Sequence, residues 1–109
     1  MKTCKAFKIT DPVEQEKHLH KIVKIEDFGD YCNGHYLHTW DDGRRYLCRC
    51  PECDALILVQ FSEFHACEDS YYKDYFPVES REEAIALNER YDGWQIERDY
   101  EGQRIFRTF

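Results

Sequence analysis

Four residues in the middle of the chain have the types and the spacing to hold a metal ion. Cys32 and His35 are separated by two residues, Cys50 and Cys53 likewise, and fourteen residues stand between the two pairs. A thiolate or imidazole pair at this spacing can reach one ion from a single tight turn. Two such pairs supply the four donors of a tetrahedral zinc site. Rival donors are present. Cys48 alternates with Cys50, so both thiols share a strand face, and His65 and Cys67 follow the most apolar run of the chain. His65 also reads as a loop histidine bonded to a backbone carbonyl. Cys4 reads as a small buried hydrophobe, and His18 and His20 as solvated residues of a first helix.

The elements that must position these donors follow from pattern. Residues 4–10 alternate as a short strand would. Asp11-Pro12-Val13-Glu14 is a helix start, with a capping aspartate, a proline in the first turn and a glutamate completing a capping box. That helix runs to about Lys21 with Val13, Leu19 and Ile22 on one side, and 21–25 reads equally well as strand. Residues 27–34 are turn-rich. Asp41-Asp42-Gly43 reads as the turn of a hairpin with arms at 35–40 and 44–49. Residues 55–61, Ala-Leu-Ile-Leu-Val-Gln-Phe, form an unbroken apolar run that predicts a central strand buried on both faces. Residues 62–79 read as an aromatic-rich loop ended by Pro77. Ser80-Arg81-Glu82-Glu83 opens a second helix that stops near Gly93, and 94–99 with 104–109 read as a closing hairpin. This predicts one α+β domain over 1–109: a small antiparallel sheet with two helices and a ribbon-like structural zinc site.

The order hook, strand, turn, strand, hook, strand over residues 32–61 resembles a zinc ribbon, in which two knuckles clamp one ion at the end of a small sheet. The resemblance implies that Cys32 and His35 form the first knuckle and Cys50 and Cys53 the second. Two positions depart from the ribbon pattern. His35 stands where a second cysteine is commoner, and Asp54 stands where glycine usually follows the second knuckle.

Composition narrows the function classes. With 34% charged, 42% apolar and 16% aromatic residues, the chain of 109 is neither disordered nor fibrous. No apolar run approaches the ~18 residues of a membrane span, and the N-terminus has no signal-peptide pattern, so a cytoplasmic protein is expected. Six cysteines, three of them clustered as Cys48, Cys50 and Cys53, in that setting favour reduced thiols and metal over disulfides. The net charge of −7 is uneven: residues 1–25 carry six lysines against three acids, and residues 55–101 carry twelve acids against four bases. An acidic segment repels phosphate backbones and favours basic partners. Tyr71, Tyr72 and Tyr75, interleaved with Glu68, Asp69 and Asp74, have the composition of a contact patch for a basic protein. They read equally well as a lid on the core.

The expectation is therefore a zinc-stabilised binding module, not an enzyme, that docks on a basic, nucleic-acid-binding protein and regulates or inhibits it. Its general profile resembles that of small acidic proteins that occupy nucleic-acid channels, phage inhibitors of defence nucleases among them. One alternative is a nucleic-acid-binding ribbon using the basic N-terminal region with Arg44, Arg45 and Arg49. Another is a small metal-dependent hydrolase. The hydrolase needs an open coordination place, and four good ligands close the site.

Overall fold

The computed structural model describes residues 3–32, 42–64, 70–90 and 106–108, with side chains over 3–29, 43–62 and 73–90. Its framework is an antiparallel sheet of four long strands, β1 (Val23–Cys32), β2 (Asp42–Cys50), β3 (Ala55–Phe64) and β4 (Ser70–Val78). A short edge strand, β5 (Phe106–Thr108), completes it. Spatial order follows chain order. The α+β class with two helices is thus as expected.

Two layers of side chains explain the unbroken apolar run in β3. Successive side chains in a strand point to opposite faces, and both faces are covered here. Ala55, Ile57 and Val59 join Cys48 and Cys50 of β2 and Tyr75 of β4 in one core. Leu58 joins Leu47, Phe76 and Val78 in a second core on the other face. The helix α2 (Arg81–Arg90) closes the second core with Ala84 and Leu87. Ser80 starts it by accepting from the Glu83 backbone N–H at 3.1 Å, which is the capping role its sequence predicts.

The first core is closed by the N-terminal segment. Residues 4–10 do not form a strand. A single 3-10 turn, Lys5–Phe7, puts Ala6 and Phe7 into the core. The helix α1 (Pro12–Leu19) follows, with Asp11 capping it through a bond from the Val13 N–H at 3.0 Å. Val13, expected on one side with Leu19 and Ile22, is 59% exposed while Leu19 is buried. The buried residues of α1 are His18 and Leu19.

Three other expectations change. Residues 70–78 are strand, not loop. Pro77 lies within β4, in register with Ile57 of β3. The partner of β2 is β1 rather than 35–40, while 35–40 and 94–99 lie outside the described residues. Residues 27–32 of the segment read as turn-rich belong to β1 instead, with register shifts that absorb their turn formers. At one of them Gly29 adopts φ +82, a conformation side-chain-bearing residues rarely take.

Candidate metal centre

The site is built at the turn between β2 and β3. Cys50 ends β2, residues 51–54 form the turn, and Ala55 begins β3. The Asp54 N–H closes the turn on the Cys50 carbonyl at 2.8 Å. Asp54 takes a left-handed conformation, φ 52, where a ribbon would place glycine. Aspartate is among the few side-chain residues that tolerate this region. Its carboxylate is held by Arg49, with Oδ1 at 2.7 Å from Nη2. The turn thus closes with aspartate at this position, and it places the Cys50 and Cys53 thiols in one cluster.

The partners of this knuckle come from the N-terminal segment. Cys4 precedes the 3-10 turn and His18 lies in the last turn of α1. Together with Cys50 and Cys53 they place four ligand atoms within 4.8 Å of one another. His18 Nε2 lies 3.1 Å from Cys4 Sγ, 3.4 Å from Cys50 Sγ and 3.6 Å from Cys53 Sγ. One imidazole nitrogen has one lone pair or one N–H and can make one good hydrogen bond. Three sulfurs converging on it exceed that capacity. They match a shared cation: with Zn–S of ~2.3 Å and Zn–N of ~2.0 Å, a tetrahedron sets sulfur and nitrogen about 3.5 Å apart. The donor set of three thiols and one imidazole fits a metal ion of the zinc type.

Burial and charge agree. Cys4, His18 and Cys50 are buried, and Cys53 is half-buried. Three thiols this close cannot all ionise unaided. Burial pushes the Cys4 thiol well above its ordinary value. Cys50 is held below its own, because hydrogen bonds from Cys53, Cys4 and the Glu52 backbone outweigh the effect of burial. A divalent cation removes the conflict by stabilising every thiolate at once. For His18, burial lowers the pKa, helped by Lys5 and Lys21 and opposed by Glu52. The ring is accordingly neutral at pH 7, the form that donates a lone pair. The Lys5 backbone N–H also reaches Cys53 Sγ at 3.4 Å.

Of the residues expected from sequence, Cys50 and Cys53 are in the cluster and Cys32 is not. Cys32 pairs with Gly43 at the opposite end of β2, seven residues from Cys50, which at ~3.3 Å per strand residue is about 23 Å. The Cys32 backbone thus lies at the end of β2 away from the Cys50–Cys53 turn. His35, His65 and Cys67 are outside the described residues. Cys48 is buried on the same face as Cys50 but is not one of the four. Burial pushes its thiol up to about 11, the behaviour of an inert core cysteine. His18 is 3% exposed, which reverses the expectation of a solvated histidine. Cys4 is in the core, as expected, and is a candidate ligand as well.

The expected contact patch also changes. Tyr75 is 6% exposed and Asp74 1%, so both belong to the interior, one on each face of β4. Glu68 and Asp69 lie outside the described residues, as do the side chains of Tyr71 and Tyr72. Arg45, assigned to a nucleic-acid surface in one alternative, is fully buried. Its Nε donates to Gln60 Oε1 at 2.9 Å and its Nη1 to the Asn88 carbonyl at 3.2 Å, tying β2 to β3 and to α2.

The fold and the site together define an α+β protein with a candidate Cys3His metal centre that joins the N-terminal segment to the sheet. No family model, curated protein or solved structure matches the chain. No helix among the described residues is long and apolar enough to cross a membrane.

Proposed function

We propose that the chain is a zinc-stapled binding module whose metal is structural. The observation that carries this reading is the convergence of four protein donors within 4.8 Å. A tetrahedral ion held by four side chains has no place left for a reactive water, which supports a non-enzymatic role over metal-dependent hydrolysis. The ion would stabilise the fold by fastening the 3-10 turn and α1 to the β2–β3 turn. The 3-10 turn is also held by Ala6 and Phe7 in the core, whereas α1 buries only His18 and Leu19. Zinc is favoured over harder cations because three of the donors are sulfur.

On this reading the protein acts by docking on a basic partner, one that itself handles nucleic acid, and blocking or regulating it in the cytoplasm. Support comes from the net charge of −7 and from the twelve acids against four bases over 55–101. With Tyr75 and Asp74 in the core, the docking face falls to exposed acids such as Glu79, Glu82 and Glu89 and to Tyr71 and Tyr72. Direct nucleic-acid binding is disfavoured further by the burial of Arg45 and by the pairing of Arg49 with Asp54.

Two measurements test the proposal. Metal analysis should find one zinc per chain, and full folding after exhaustive chelation would refute the structural role. Binding to a basic nucleic-acid-binding protein should weaken as salt rises, because exposed charges are screened over ~8 Å at physiological ionic strength. Tighter binding to DNA or RNA than to basic proteins would refute the docking reading.

A further inference from the structure

Glu52 sits inside the knuckle, between Cys50 and Cys53, and it does not point at the sulfurs. Its Oε2 lies 3.1 Å from His18 Nδ1, on the far side of the imidazole from the thiol cluster. The same oxygen accepts from Lys21 Nζ at 3.2 Å, and Oε1 accepts from Lys5 Nζ at 3.1 Å. His18 Nδ1 is buried and, among the described residues, is the one buried side-chain polar atom without an aligned hydrogen-bond partner. The Glu52 contact has the right distance but lies off the N–H direction. Its carboxylate, 42% exposed, has room to turn.

These facts fit together through the two nitrogens of one ring. If Nε2 gives its lone pair to a metal, the neutral ring must carry its proton on Nδ1. A buried N–H needs an acceptor, and a metal-bound histidine generally finds one in a carboxylate or a carbonyl. We propose that Glu52 is the positioning residue of the metal centre, accepting the Nδ1–H of His18 and thereby fixing the tautomer and ring orientation that present Nε2 to the ion. The proposal rests on the Cys3His reading above.

Charge balance gives the two lysines their part. A dication with three thiolates carries one net negative charge, and Glu52 adds a second within hydrogen-bond reach of the ligand ring. Lys5 and Lys21, both on Glu52, supply the two positive charges that offset them. They also tie Glu52 to the two ends of the N-terminal segment, just after Cys4 and just after α1. The carboxylate therefore joins the same three pieces of chain that the metal joins, from the outside.

The test compares zinc-loaded wild type with Glu52→Ala and Glu52→Gln, reading zinc affinity by chelator competition and the His18 ring N–H resonance by NMR. Removal of such a partner typically weakens metal binding 10–100-fold. Glu52→Ala should lose affinity in that range, and its Nδ1–H proton should exchange faster with solvent and shift upfield. Glu52→Gln keeps an acceptor oxygen, so it should restore the protected ring proton while recovering only part of the affinity. Because Glu52 is at the surface, both variants should fold at saturating zinc. Unchanged affinity and an unchanged ring proton in Glu52→Ala, with zinc bound, would overturn the role of Glu52 alone. A wild-type chain that binds no zinc would overturn the metal centre itself.

Discussion

Titrating free zinc should move the stability of this protein by an amount that can be worked out in advance. A ligand that binds only the folded state stabilises it by RT ln(1 + [L]/Kd), so above Kd each decade of free zinc adds about 1.4 kcal/mol. For 109 residues at ~2.1 cal/mol/K per residue, the unfolding entropy near the midpoint is about 0.23 kcal/mol/K. The melting temperature should therefore rise by about 6 °C per decade of free zinc, less whatever zinc the unfolded chain holds through its own cysteines. The assay is thermal unfolding in a series of metal buffers under reducing conditions. Cys4→Ser removes a donor and should flatten the slope over the range where wild type responds. Cys48→Ala is the control: it deletes an equally buried thiol on the same face and should lower every midpoint while leaving the slope intact. A wild-type midpoint independent of free zinc would refute the reasoning. So would Cys4→Ser and Cys48→Ala behaving alike, since Cys4 would then be core packing only.

Three further outcomes are expected. Tyr75→Ala should destabilise the fold by ~3–5 kcal/mol in denaturant titration, as loss of a buried aromatic does; a stable variant that merely bound a partner less well would return Tyr75 to the surface. Arg45→Ala should cost about 3 kcal/mol or more, because Gln60 and Asn88 lose the buried donor they accept from, and a cost below 1 kcal/mol would refute that account. Acidification should release the metal. The pKa of His18 is lowered in the fold, so the unfolded chain binds its proton first. The contribution of His18 is complete above ~6.5, its unfolded value, and is lost as pH falls through the lowered folded value. Proton competition at the thiolates acts in the same direction. Zinc retention undiminished at pH 4, followed by a zinc-sensitive dye, would contradict this.

The parts of the fold that could be read from the sequence were those specified locally. Asp11 and Pro12 marked one helix, Ser80 and Glu83 the other, and the run 55–61 marked a strand covered on both sides. The Cys50–Cys53 knuckle was visible for the same reason, because two donors three positions apart define a turn by themselves. Cys4 and His18 gave no such signal: they stand 46 and 32 residues before Cys50, and only the tertiary fold brings them there. One indirect clue existed. The helix Pro12–Leu19 has too few apolar residues to bury a face, so something other than packing had to hold it, and its inward histidine was the available group. The spacing of Cys32 and His35 does not say which end of a strand Cys32 occupies; the register of β1 sets it opposite Gly43. Strand β4 was missed because Asp74, Tyr75, Phe76, Pro77 and Val78 are all buried. The two-residue alternation that identifies a half-buried strand is erased there.

The measurement that tests the central claim most directly is identification of the ligands. The protein should be loaded with a magnetically active cadmium isotope in place of zinc, and correlations from the metal to the ligand protons recorded by NMR. One metal resonance coupled to the β-protons of Cys4, Cys50 and Cys53 and to the ring of His18 is the predicted result. Coupling to Cys32 or His35 instead, or a resonance showing a water ligand in place of one of the four side chains, would contradict it.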